Sequence, residues 1–167
     1  GSGDGMPFIV KDDLEVEVDV MFAEKTGAIS VSQYAIKPYA NTQVYNTSSF
    51  GFYNDAGSSD GLYYAPISFP DGVSVTKLTA NIADESTEDL QVTLYENEIG
   101  SGLYLEKAEA ASSGSSTSTQ TISSTLGSPM TVNNATHTYV LQFEFNSSTD
   151  SDLKALQTVI EYTRDSV

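Results

Sequence analysis

Twenty-three carboxylates and one imidazole are the groups of this chain with the chemistry to move protons or hold a metal. The imidazole is His137, in "NNATHTYV" at the start of an apolar run. With no cysteine and no second histidine it cannot build an ordinary zinc site, so it reads as a solvated or hydrogen-bonded surface residue. Glycoside hydrolysis needs only two carboxylates at a suitable separation. Where acids are this abundant no pair stands out, and a hydrolase ranks behind binding and structural readings. Loop carboxylates suit the hard cation Ca2+ better. Asp55 and Asp60 lie in "NDAGSSDG", Asp84 and Asp89 in "ADESTEDL", and Asp150 and Asp152 in "TDSD". None has the spacing of the helix-loop-helix calcium motif, so the expectation is that no cofactor is required and that Ca2+ is the ion these loops would take.

Two further sets of residues bear on recognition. Tyr34, Tyr39, Tyr45, Phe50, Phe52, Tyr53, Tyr63 and Tyr64 crowd the first half of the chain. A row of exposed tyrosines can stack on sugar rings, but a chain without tryptophan lacks the usual leader of such a platform, so core packing and interface contacts are the preferred uses. Asn46, Asn134 and Asn146 each open an Asn-x-Ser/Thr glycosylation sequence. In a chain so rich in Ser and Thr these permit surface glycans without requiring them.

Composition bounds the partners. Seven cationic against 23 acidic side chains give a net charge of −16, which repels phosphate backbones and anionic lipid surfaces alike, so neither nucleic acid nor membrane insertion is expected. At 167 residues one domain can bury a proper core, and without cysteine it does so with no disulfide. Apolar runs are strand-sized and too short to span a bilayer as a helix. "GSGDG" at the start reads either as a mature terminus left by signal-peptide removal or as a leader added before Met6, the first being preferred.

The elements that must position these residues repeat with period two. "LEVEVDVMF" (14–22), "AISVSQYAI" (28–36), "GLYYAPISF" (61–69), "VSVTKLTANIA" (73–83), "LQVTLYENE" (90–98), "TQTISSTL" (119–126), "TYVLQFEFN" (138–146) and "ALQTVIEYT" (155–163) are rich in Val, Ile, Thr, Tyr and Phe. Turn residues such as "PDG" at 70–72 bound them. The pattern predicts an all-β chain, an antiparallel β-sandwich of jelly-roll type with an N-terminal extended strand. Val73, Val75, Leu90, Val92, Leu94, Tyr139, Leu141, Phe143 and Phe145 should fill the core. One short helical turn is expected within 150–157, capped by Asp150 or Asp152. The first half of "AEAASSGSSTSTQTISSTLGS" reads as a solvated loop and the second half as a strand.

From residue 29 onward the order of "ISVSQYAIKPY", "YYAPISFPDGVSVTKLTANIADESTEDLQVTLYENE", "AASSGSSTSTQTIS", "NNATHTYVLQFEF" and "LQTVIEYT" resembles a largely uncharacterised module of secreted and surface proteins of bacteria and archaea. In that module a Pro-Asp-Gly-like turn follows an apolar strand, an Asp such as Asp84 ends the next, and a "VIEYT" ending closes the sheet. The resemblance implies an extracellular β-sandwich over 29–167 and transfers no catalytic residue.

Residues 1–28 fall outside it and read as an N-terminal arm. There Phe8, Ile9 and Val10 precede a strand that aligns Leu14, Val16, Val18, Val20 and Phe22 on one side, with mostly acidic residues on the other. Extended, nine residues reach roughly 30 Å, enough to add to a neighbour's sheet. Such a head-to-tail contact generates rings or filaments. The expectation from sequence is therefore a secreted, non-enzymatic subunit of a self-assembling filament, tube or sheath. Its rival is a carbohydrate- or receptor-binding module of a surface protein or viral fibre.

Overall fold

In the computed structural model, residues 24–48, 51–55, 61–146 and 152–164 are described below. The chain is an antiparallel β-sandwich. Its strands are β1 (Lys25–Ser32), β2 (Lys37–Pro38), β3 (Tyr45–Ser48), β4 (Gly51–Asn54), β5 (Gly61–Ile67), β6 (Ser74–Asp84), β7 (Leu90–Glu98), β8 (Tyr104–Ala111), β9 (Ser116–Thr131), β10 (His137–Phe145) and β11 (Leu153–Arg164). A 3-10 turn, Gln33–Ala35, joins β1 to β2 and is capped by the Ser32 hydroxyl, which accepts from the Tyr34 N–H. One sheet runs β3-β4-β11-β6-β9, with β1 also paired to β11, and the other runs β2-β5-β10-β7-β8.

β11 organises the first sheet. Ala155 pairs with Phe52 of β4, while Gln157 to Arg164 pair with Ser32 to Lys25 of β1. β6 covers the whole opposite side, with a register shift between Ala155 and Gln157. That irregularity twists the strand locally, as bulges do, where β4 gives way to β1. Gly51 opens β4 at φ +140, and a Cβ there would lie 2.9 Å from the Ala155 carbonyl oxygen, so only glycine allows this approach.

Alternation sets the core. All nine residues expected inside are buried, and they meet Phe52, Tyr63, Leu78, Ile82, Leu153 and Ile160 from the rest of the two inner faces. Phe52 of one sheet packs edge-on to Tyr63 of the other at 4.8 Å, and Phe145 completes the trio at 5.7 Å from Tyr63 and 6.0 Å from Phe52. The Tyr63 hydroxyl is buried with its ring. It donates to Asn54 Oδ1 at 2.6 Å and also lies 3.1 Å from the Val44 carbonyl oxygen.

Two expectations are corrected, and the position of β1 is added to them. Leu153 to Gln157 belong to strand β11 and not to a helical turn, because Leu153 and Ala155 alternate into the core. Residues 108–111 are strand and not loop: Ala108 and Ala110 point inward beneath β7, small residues that leave a weak hydrophobic signal. β1 starts at Lys25, so the division at 28/29 falls within a paired strand. The stretch 14–22 lies outside the described residues.

Burial first, and then the Asp55 carboxylate, push the Tyr63 hydroxyl from 10.0 up to about 12. The unfolded chain therefore loses this proton at lower pH than the folded one, so stability falls between pH 10 and about 12. The loss is on the order of 2 kcal/mol from this group. Tyr63→Phe should cost about 1–3 kcal/mol at neutral pH by removing the buried donor to Asn54 Oδ1. It should also make the alkaline fall shallower, as read by urea melts across pH 8–12.5.

Candidate functional site

On the outer face of the second sheet the residues between the core positions form ladders across the strands. Pro66, Val140 and Tyr95 stand side by side on β5, β10 and β7, with Glu106 of β8 next to Tyr95. The adjacent ladder runs Lys37, Tyr64, Gln142, Thr93 and Glu109. Tyr39, just past β2, and Tyr104, opposite Asn97 at the start of β8, rise at either side. Together Tyr39, Tyr64, Pro66, Tyr95, Tyr104, Val140 and Gln142 line a groove of about 630 Å³.

Each wall is fixed locally. The Tyr39 N–H donates to the Leu62 carbonyl, which ties it to β5, and to Gln43 Oε1. Gln43 Oε1 also accepts from the Ala40 N–H, closing the turn that holds this ring outward. Tyr104 follows the tight β7–β8 turn, where Gly100 and Gly102 take positive φ and the Glu98 N–H donates to the Leu103 carbonyl. The register shift between Leu94 and Tyr95 brings Tyr104 and Glu106 onto the outer face beside Tyr95.

The rings meet in two pairs, Tyr39 with Tyr64 at 5.5 Å and Tyr95 with Tyr104 at 6.2 Å. Tyr39 and Tyr104 are 71% and 57% exposed, so large aromatic faces remain in water. Between the pairs the Tyr64 hydroxyl donates to Gln142 Oε1 at 3.0 Å, which orients the amide with its Nε2 as the donor left for a ligand. Burial, followed by the neighbouring tyrosines and Glu144, raises the Tyr64 hydroxyl above its ordinary value. Burial, then Glu106, Glu109 and Glu144, does the same to Tyr95. Both therefore stay protonated donors through neutral pH.

The residues singled out by sequence scatter. Of the early aromatics, Tyr39 and Tyr64 reach the groove, Phe52 and Tyr63 fill the core, Tyr34 stands exposed on the 3-10 turn, and Tyr45 stacks on Phe52 at 5.1 Å. Tyr53 is half-buried on β4, and Phe50 lies outside the described residues. Tyr95 and Tyr104 were not singled out. Tyr95 was legible, since inward alternation through Val92 and Leu94 sends it outward; Tyr104 depends on the register shift.

Asp84 is fully buried at the end of β6, its Oδ1 accepting from the Ser86 N–H at 3.2 Å, with no hydrogen-bond partner at Oδ2. Asp89 is half-buried, Asp152 is an exposed turn residue whose carbonyl accepts from the Glu85 N–H, and Asp55 is exposed after β4. Asp60 and Asp150 lie outside the described residues. Among the described residues no three His, Cys, Asp or Glu side chains come together as metal ligands. "GSSDG" at 57–61 has the spacing of a serine-nucleophile turn; residues 57–60 lie outside the described residues, and Gly61 opens β5. His137 Nδ1 sits 2.8 Å from the Thr136 hydroxyl. Among the described residues no helix is long and apolar enough to cross a membrane.

Of the glycosylation sequences, Asn46 is exposed on β3 and Asn146 follows β10, its N–H on the Asp89 carbonyl. Asn134 is engaged: its Nδ2 donates to the Phe69 carbonyl at 2.9 Å and its N–H donates to Asp71 Oδ1 at 2.8 Å.

No model of a known protein family matches the chain, and no curated protein matches its sequence. Solved structures do. The C-terminal CBM6 of LamC, a marine laminarinase of Zobellia galactanivorans, is 13% identical over 80% of this chain and 98% of its own, with a TM-score of 0.48. The CBM36-1 domain of a multidomain xylanase from the hindgut metagenome of Trinervitermes trinervoides is 13% identical over 84% of this chain and 100% of its own, with a TM-score of 0.42. The family 11 carbohydrate-binding module of the cellulosomal cellulase Lic26A-Cel5E of Clostridium thermocellum is 14% identical over 84% of this chain and 88% of its own, with a TM-score of 0.35.

The expectation of a filament subunit is corrected here. The solved structures just named are carbohydrate-binding modules, and none is a filament subunit by its description. Among the described residues the outer face of the second sheet carries a groove lined by four tyrosines. Phe8, Ile9, Val10, Leu14, Val16, Val18, Val20 and Phe22, on which assembly rested, lie outside the described residues.

Replacing Asn134 by Ala should lower stability by about 1 kcal/mol through loss of the bond to Phe69, measured by urea denaturation. Asn46→Ala, on an exposed edge strand, should change it by less than about 0.5 kcal/mol.

Proposed function

We propose that this chain is a carbohydrate-binding β-sandwich module that holds a sugar chain along the outer face of its second sheet. One observation carries the reading: four tyrosines from separate segments converge on one groove, with a hydrogen-bonded tyrosine–glutamine pair between them. Ligand sites commonly join apolar and aromatic walls to a few placed polar groups. Here the walls are the Tyr39 and Tyr104 rings, with Pro66 and Val140 as apolar floor.

The division of labour follows from the side chains. A sugar ring has apolar C–H faces and a hydroxyl rim. The C–H faces lie on tyrosine rings, which bring large contact area at little cost in side-chain entropy. The rim meets Gln142 Nε2 and the protonated Tyr95 hydroxyl as donors, and the Tyr64 oxygen as an acceptor, its proton being committed to Gln142 Oε1. Tyr64 serves both purposes, since its bond to Gln142 fixes the ring and the amide at once. The chain binds and does not catalyse in this reading. Polymers of this kind are met outside cells, so a secreted or cell-surface setting belongs to the proposal.

Tyr104→Ala and Tyr64→Ala should each weaken binding of the preferred oligosaccharide about ten-fold or more, which is about 1.4 kcal/mol. Tyr64→Phe keeps the ring and loses the link to Gln142, so it should weaken binding less than Tyr64→Ala. Tyr34→Ala, on an exposed ring outside the groove, should leave affinity alone. A glycan array followed by titration calorimetry measures all four. Failure of the wild type to bind any glycan, or an equal loss in Tyr34→Ala, overturns the reading.

A further inference from the structure

Three carboxylates belong to the face that carries the groove. Glu106 is the cross-strand neighbour of Tyr95. Glu109 ends the ladder that contains Tyr64 and Gln142. Glu144 follows Gln142 by two residues on β10 and so shares its side of the sheet. Two lysines are near enough along the strands to offset them. Lys107 lies between Glu106 and Glu109 in the chain, but its Nζ is held by the buried Glu96 carboxylate at 2.5 Å. Lys37 stands across from Tyr64 at the β2 edge, the far end of the ladder from Glu109. The β7–β8 side of the groove is thus acidic, within a chain whose net charge is −16.

We infer, resting on the glycan reading above, that the groove selects sugar chains by charge: it takes uncharged chains and turns away those bearing uronate or sulfate groups. The carboxylates reach the ligand's place through space without touching it. Their field already acts on the ring hydroxyls, since Glu106, Glu109 and Glu144 all disfavour ionisation of Tyr95, after burial. A carboxylate on a sugar bound over Tyr95 meets the same field. It also gains no bidentate partner, because no arginine lines the groove. Lys37 offers its ammonium only at the β2 end. Repulsion from three partly screened charges at this range amounts to a discrimination on the order of ten-fold at low salt, and it fades as the Debye length shrinks.

The test is titration calorimetry of the full chain with cello-, xylo- and laminari-oligosaccharides against oligogalacturonate and a sulfated oligosaccharide. It is run at about 20 mM and about 500 mM NaCl, where screening lengths differ severalfold. The uncharged chains should bind at least ten-fold more tightly than the anionic ones at low salt, and the gap should narrow at high salt. In the variant E106Q/E109Q/E144Q the ratio of anionic to uncharged affinity should rise about ten-fold. Anionic chains binding as tightly as uncharged ones at low salt, or a ratio unmoved in the triple variant, overturns the inference and leaves the glycan reading standing. No binding by any chain overturns both.

Discussion

Side chains on a strand leave it alternately on one face and the other, and this pleat ties the interior of the protein to its tyrosine groove. On β10, Tyr139, Leu141, Phe143 and Phe145 turn inward, so Val140, Gln142 and Glu144 turn outward. On β5, Tyr63 anchors the core and its neighbour Tyr64 floors the groove. The spacing of the groove residues is therefore the spacing of the sheet, about 4.8 Å between strands and about 7 Å along them. For the sugar-binding role proposed above, rigid placement of this kind would lower the entropy lost on binding.

The aromatic trio of Phe52, Tyr63 and Phe145 connects the two sheets at the level where β11 passes from β4 to β1. Tyr63 adds a hydroxyl bonded to Asn54 at the end of β4, so a contact between sheets is also a polar one. Near the other end Phe69 meets Tyr139 edge-on at 5.3 Å, and the Tyr139 hydroxyl accepts from the Asn133 N–H at 2.8 Å. In both places a tyrosine gives its ring to the core and its oxygen to a polar partner at the sandwich margin, which satisfies the hydroxyl without leaving the fold.

Fold class and core were legible because period-two alternation is a direct imprint of a half-buried strand; Leu90, Val92 and Leu94 or Leu141 and Phe143 admit no other face inward. β8 was missed because "YLEKAEAA" buries only alanines, whose small side chains mark the core faintly. β3 and β4 are four residues each, too short for a period to show. Half of the groove could be read. Tyr39 and Tyr64 were noted as aromatics without a face assigned, and their use as a platform was ranked below packing. Tyr95 followed from the alternation of its own strand. Tyr104 and the acidic ladder beside it could not, because a shift in β7–β8 register decides which β8 residues stand outward, and such shifts leave no compositional trace.

Strand β11 sits in the interior of its sheet, between β6 on one side and β4 and β1 on the other, although it follows all of them in the chain. During synthesis on a ribosome, β6 and β9 emerge early with one margin of β6 lacking its mate, and Leu153–Arg164 must clear the exit tunnel before that margin is filled. Until then the nascent chain presents open backbone donors and acceptors, the template for unwanted strand addition. Completion waits on contacts distant in sequence, so closure is a late and comparatively slow event. Along the β9 edge the exposed residues are mostly Ser and Thr, which offer neighbouring chains little apolar surface over this interval.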